Sequence, residues 1–441
     1  MSRELNDSGV EWIGIVPANW SVEKIKYTTY VKGRIGWQGL KSDEFTDEGP
    51  YLVTGTNFIG KGIDWGSCHH ISKERYHEAP PIQLKEDDLL ITKDGTIGKI
   101  AIVRDMPDKA ILNSGIFVTR SAKYEVDFMY WMLNSQVFDK YIKFFETGST
   151  IKHLYQETFE NFSYPLPTRL EQKKISLFLN RKIKLVDEVI KNKENMMTLL
   201  EKQRQSIITE AVTKGLNPNV KMKDSGIEWI GEIPEHWEIS KLKYHAVRIG
   251  DGLHGTPVYD DQGEYHFING NNLGDISIRF NEKTNKINKA EFISHGQKIG
   301  GNTILVSLNG TIGNVSIYNN EKIMLSKSAG FINLKNNIET LYVYYWLKSI
   351  HVENYFTKSF AGTTIKNLSL ETLRNTPILI VPIIEQQQIA KYLVDKLKEN
   401  DSLLEKVKIQ IEKLKEYRQS LIYEAVTGKI DVSEMELHEV R

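Results

Sequence analysis

The sequence predicts an α+β protein, with two mixed α/β domains separated by an antiparallel coiled coil of two long helices and related by an approximate twofold. Three observations predict this. The chain repeats itself: Asp7-Ser8-Gly9-Val10-Glu11-Trp12-Ile13-Gly14 returns as Asp224-Ser225-Gly226-Ile227-Glu228-Trp229-Ile230-Gly231, which implies two copies of one plan. Each copy closes on a long charged segment whose apolar residues alternate four and three apart, a heptad seam. Between opening and seam lie short β-branched runs broken by Asp-Gly and Asn-Gly turns, followed by aromatic-rich helical patterns. The boundaries follow: a first domain over 1–168, a first spacer helix over 169–215, a second domain over 216–382, a second spacer helix over 383–430, and a tail over 431–441.

The opening of each copy is short and aromatic, from Trp12 to Tyr27 and from Trp229 to Tyr244. In the first domain Asp88-Leu89-Leu90-Ile91-Thr92 and Lys99-Ile100-Ala101-Ile102-Val103 flank a turn at Lys93–Gly98 and predict a hairpin. The second copy repeats it over 303–307 and 314–318, around Asn309-Gly310-Thr311-Ile312-Gly313; Asp-Gly and Asn-Gly suit turns with positive φ. Val126 to Phe145 and Glu339 to Phe356 are predicted helical, with aromatic stripes that belong to the core. Gly148-Ser149-Thr150-Ile151-Lys152 returns as Gly362-Thr363-Thr364-Ile365-Lys366, before a proline-marked connection.

The first seam reads Leu179, Ile183, Val186, Ile190, Lys193, Met197, Leu200, and on through Arg204, Ile207 and Ala211. The second reads Leu393, Leu397, Asn400, Leu404, Val407, Ile411, Leu414, then Arg418, Leu421 and Ala425. Parallel pairing would set polar Lys193 against Val407 and Asn400 against Val186. A polar group buried opposite an apolar one costs a few kcal/mol, so antiparallel pairing is expected. Centred on Ile190 and Leu404, it places Lys193 near Asn400, Leu179 opposite Leu414 and Leu200 opposite Leu393. About 40 helical residues give a rod of roughly 60 Å, long enough to act as a ruler between the domains.

Composition excludes several classes. With 57 basic and 57 acidic residues the net charge is zero, and the balance holds regionally: 15 against 17 over residues 28–146, ten of each over 249–360. A nucleic-acid contact must therefore use local basic patches or share the electrostatic work with a partner. The single cysteine, Cys68, rules out an intrachain disulfide and fits a reducing cytoplasm. No apolar run is long enough to span a bilayer, so no membrane role is expected. Catalytic motifs are missing: no phosphate loop, no His-Glu-x-x-His, no Asn/Asp-Pro-Pro-Tyr. Pro107-Asp108 lacks the acidic-x-Lys of a nuclease site, because Ser121, Phe138 and Tyr141 precede Lys123, Lys140 and Lys143. His69-His70 has no carboxylate pattern around it. No metal site is expected.

Four elements recur in order: Trp-Ile-Gly-x-x-Pro-x-x-Trp, Gly-Ser/Thr-Thr-Ile-Lys, a proline followed by Glu171-Gln172 or Glu385-Gln386, and Arg-Gln-Ser-x-Ile at the helix end. In this order, duplicated, they resemble the specificity subunit of Type I restriction-modification systems over nearly the whole chain. The resemblance implies two target-recognition domains, each reading one half of a split, asymmetric DNA sequence. It implies that the paired helices set the gap and hold two modification subunits, which carry S-adenosylmethionine and methylate adenine. A translocating restriction subunit joins for cleavage, and the specificity subunit itself catalyses nothing. Base readout requires amide, hydroxyl or cationic side chains on exposed loops. The candidates are Arg34, Gln38, Thr54, Asn57, Lys61, Lys93 and Thr96 in the first domain. In the second they are His254, Thr256, Asn269, Asn271, Asn272, Asn309 and Thr311. Lys152 and Lys366 are candidate phosphate anchors. The rival reading is a scaffold without DNA, two interaction domains on a coiled-coil rod.

Overall fold

The repeated opening folds into the same turn twice. Gly9 donates its N–H to Asp7 Oδ1 and Val10 to Ser8 Oγ, and Ser8 donates to the carbonyl of Gly14. Gly226, Ile227 and Ser225 repeat the three bonds with Asp224, Ser225 and Gly231. Gly14 and Gly231 sit at φ +75° and +74°, the left-handed region that excludes most side chains. The repeat is thus explained by main-chain geometry.

This computed structural model describes residues 3–34, 40–146, 153–274, 276–360 and 367–435. It divides into two compact units, Met1–Lys193 with Ile409–Arg441, and Glu194–Lys408. Each unit therefore owns one domain and one part of each long helix.

In the first unit a four-stranded antiparallel sheet has the order Ile100–Ile102, Leu89–Thr92, Ile116–Arg120, Tyr30–Gly33. In the second unit the order is the same: Val315–Ile317, Thr303–Ser307, Ala329–Leu334, Ala246–Asp251. The predicted hairpins are present, pairing Ile91 with Ile100 and Val306 with Val315. Each unit adds a three-stranded sheet with one parallel pair, Ala110–Leu112 beside Phe45–Val53 and Ile323–Leu325 beside Tyr265–Ile268. One face of each larger sheet packs on the aromatic helices, where Phe128, Trp131, Tyr342, Tyr345 and Trp346 are buried in the main cores. Tyr130 is half-buried.

Where single helices were expected, each unit has two: Val126–Leu133 with Gln136–Glu146, and Thr340–Leu347 with Ile350–Ser359. Buried Ser135 and Ser349 make the breaks. Each hydroxyl donates to a carbonyl of the preceding helix and accepts an N–H of the next, competing with the helical ladder.

The long helices run over Arg169–Lys214 and Ile383–Val426. Their starts are tied down identically. Buried Gln172 accepts the N–H of Glu125 and donates to the carbonyl of Pro167, at 2.6 and 2.8 Å. Buried Gln386 does the same with Glu339 and Val381, at 2.8 and 2.6 Å. Trp20 and Trp237 donate their indole N–H to Glu171 and Glu385.

Within each unit the two helix segments are antiparallel, as expected. In the first, Asp187 pairs with Arg418 at 2.8 Å and Lys174 donates to the Ser433 carbonyl. In the second, Arg204 pairs with Asp401 at 2.9 Å, and one cleft is lined by Lys214, Gln388 and Ile389. Of the seam residues, Leu179, Ile183, Ile190, Leu200, Leu393, Leu397, Asn400, Val407 and Ile411 are buried. Val186, Lys193, Met197, Leu404 and Leu414 are half-buried. The expected register is corrected. Asn400 Nδ2 donates to the carbonyl of Leu200 at 3.3 Å, where Leu393 was expected, and Leu179 shares its core with Leu421 while Leu414 is half-buried. Both differences are one heptad along the second helix. Apolar layers repeat every seven residues, so they distinguish such registers poorly; the Arg–Asp pairs and the main-chain bond of Asn400 favour the observed one.

Candidate nucleic-acid interface

The recognition candidates separate by burial. Arg34 is 3% exposed and donates Nε to the Leu112 carbonyl at 2.9 Å; burial, the larger effect, and the charge of Arg75 push its pKa down. Lys61 bonds Asn180 Oδ1 on the long helix at 3.0 Å, pairs with Asp127 and covers the rings of Tyr130 and Trp131. It fastens the domain to the helix. Asn57 and Asn272 are 4% and 7% exposed. These four were expected on exposed loops, and the structure places their polar groups in internal bonds instead. Gln38, Lys152 and Lys366, with the Gly-Ser/Thr-Thr-Ile-Lys segments, lie outside the described residues.

The two buried asparagines explain a second, unexpected repeat. Asn57 Oδ1 accepts the N–H of Thr54 at 2.7 Å, and its Nδ2 donates to the Ser67 carbonyl. Asn272 Oδ1 accepts the N–H of Asn269 at 2.9 Å, and its Nδ2 donates to the Arg279 carbonyl. Each closes a tight turn, Thr54-Gly55-Thr56-Asn57 and Asn269-Gly270-Asn271-Asn272. The glycines are pressed on the neighbouring strand: a Cβ at Gly55 would lie 2.8 Å from Thr92 Cγ2, and one at Gly270 2.2 Å from Ser307 Oγ. In the second unit the hairpin tip meets the turn as well, Thr311 Oγ1 donating to the Gly270 carbonyl at 3.0 Å. Thr96 and Thr311 are exposed; Lys93, Asn309 and Thr54 are half-buried, with Lys93 Nζ 5.1 Å from the Phe117 ring centre.

In the second unit these loops line a cleft of about 450 Å³. It gathers five of the candidates, His254, Thr256, Asn269, Asn271 and Asn272, and adds Asn281, Lys283, Asn285 and Lys327. Among the described residues no carboxylate lines it. In a domain without net charge this is a local basic, amide-rich concavity, suited to a polyanion with hydrogen-bonding edges. Sequence reading passed over Asn281, Lys283 and Asn285, although the run Asn281-Glu282-Lys283-Thr284-Asn285-Lys286 is unusually rich in amides and lysines.

The histidine pair behaves as packing: His69 stacks on Phe45, and His70 Nδ1 bonds the Gly49 carbonyl at 2.7 Å. Burial pushes the Cys68 thiol up to about 11. Among the described residues no helix is long and apolar enough to cross a membrane.

The family model of the Type I restriction modification DNA specificity domain matches the chain twice, over residues 38–198 and 235–413. The chain belongs to this family. It is 27% identical to the Type I restriction enzyme MjaVIII specificity subunit of Methanocaldococcus jannaschii over 432 residues, 95% of each chain. It is 23% identical to the EcoBI specificity subunit of Escherichia coli, covering 78% of this chain and 74% of that one. A chain from a solved structure of complex assembly and conformational transition in the type I R-M system shares the fold, with TM-score 0.72, 17% identity and coverage of 94% and 99%. This protein is a specificity-domain protein of the restriction-modification class, built from two repeats.

Proposed function

We propose that each domain of this specificity subunit reads one half of a bipartite, asymmetric double-stranded DNA site. In this reading the paired helices set the spacing and dock two modification subunits. Those subunits carry S-adenosylmethionine and transfer the methyl group to adenine, and restriction subunits with translocase activity join for cleavage. The chain is a non-catalytic member of this cytoplasmic complex. The observation that carries the reading is the carboxylate-free cleft lined by Lys283, Lys327, His254 and a row of asparagines. Lysines supply phosphate attraction; asparagines supply paired donor and acceptor atoms for base edges. The zero net charge then means that the modification subunits contribute to the DNA clamp.

The test is DNA binding by the complex with its modification subunit, across salt concentrations. Sequence-selective binding that weakens steeply with salt is expected. The purified chain alone, with DNA and S-adenosylmethionine, should transfer no methyl groups. Absence of selective DNA binding in the presence of the modification subunit would favour the scaffold reading.

A further inference from the structure

The two asparagine-closed turns share a backbone and differ in what they display. In both, the closing asparagine is buried and spent on main-chain bonds, and the glycine is clamped. The residue between them points outward: Thr56 in the first domain, Asn271 in the second, both exposed. Thr56 Oγ1 lies 2.7 Å from Thr54 Oγ1, so one hydroxyl already occupies the other. Asn271 gives its main-chain N–H to Asn269 Oδ1 at 2.9 Å. Its side-chain amide makes no hydrogen bond among the described residues and lines the basic cleft, beside the hairpin tip at Gly310.

We propose that these turns are the base-reading tips of the two domains, that the residue before the closing asparagine selects the base, and that Asn271 reads an adenine edge. The inference rests on the proposed DNA function and deepens it. A side-chain amide offers one donor and one acceptor at fixed separation, matching N7 and N6 of adenine in the major groove. Thr54 Oγ1 gives its own O–H to Asn57 Oδ1 at 2.7 Å, so Thr56 is the donor of the pair and keeps only acceptor capacity. It can take a donor from a base edge or touch a methyl group, but cannot make the donor–acceptor pair an amide makes. The rigid turn fixes the reading atoms before binding, which lowers the entropic penalty of recognition.

The test uses the full chain with its modification subunit in a host without other adenine methylation, mapping every methylated adenine. The wild-type complex should yield a bipartite motif. Asn271→Ala should relax one A·T position in one half, with the other half and the spacing retained. Thr56→Asn should change one position in the opposite half towards A·T. Should methylation by Asn271→Ala be too weak to map, the purified complex is measured against single-base variants of the site. It should lose about 10- to 100-fold of discrimination at one position. Unchanged motifs and unchanged discrimination in both variants overturn the proposal while leaving the DNA function standing. A wild-type complex without any bipartite motif overturns both.

Discussion

The two repeats are most alike where a side chain completes main-chain hydrogen bonds, and least alike where it faces solvent. Asp7 and Asp224, Gln172 and Gln386, Asn57 and Asn272 hold the same backbone atoms in the same way. Between those fixed points exposed residues diverge, as Thr56 does against Asn271. The repeated residues build a scaffold, and the divergent ones occupy positions where change leaves that scaffold intact. Internal supports differ too: Arg120 grips Asp88 with two bonds of 2.6 Å in the first unit only, and Leu334 stands at the end of the matching strand.

That asymmetry sets the largest expected effect. Arg120→Ala should destabilise the first unit by about 3–5 kcal/mol, because it leaves Asp88 buried without its partner. Limited proteolysis should then cleave the first unit while sparing the second; equal loss in both would break the comparison. Gln172→Ala and Gln386→Ala should each cost about 2 kcal/mol in denaturant unfolding, since each strands a buried N–H and a carbonyl. Their near equality is the point: a difference beyond about 1 kcal/mol would mean that the two helix starts are held by other means.

Asn400→Val should raise thermal stability by about 1 kcal/mol, because the buried Oδ1 of Asn400 has no hydrogen-bond partner among the described residues. Its counterpart is already Val186. The smallest effect is pH-dependent. His245 and His351 are held below the ordinary value of 6.5 by burial, aided at His245 by the charge of Lys335. The folded second unit keeps them neutral while the unfolded chain takes up protons near 6.5. Their stabilisation is therefore complete above that pH and lost as pH falls through it towards the folded values. Thr28 and Val137 stand at the matching places in the first repeat, so acid should loosen the second unit first. His351→Gln should flatten that dependence in hydrogen exchange.

Much of this architecture was legible in the sequence because it rests on short-range pattern. Asp-Gly and Asn-Gly mark the hairpins and heptads mark the long helices; the antiparallel sense was expected from pairing Lys193 with Asn400, whereas Asn400 bonds the Leu200 carbonyl instead. The helix register was not legible from the seam alone, because layers such as Leu393 and Asn400 lie one period apart. The pairs Asp187–Arg418 and Asp401–Arg204 carry that information and stand in the repeat for inspection. The interface was legible mainly at its exposed asparagines. Arg34 and Lys61 escaped because their partners, Leu112 and Asn180, lie 78 and 119 residues away. Residue type names what a side chain can bind, while burial decides whether it is still available.

The proposed function requires each repeat to read its own half-site on a shared scaffold. Its most direct test replaces residues 28–146 of the first domain by residues 245–360 of the second and maps methylated adenines made by the complex. The asymmetric bipartite motif should become a symmetric one, the half-site of the second domain repeated in inverted orientation at similar spacing. A motif that keeps its original first half, or a recognition sequence no longer split in two, would contradict it.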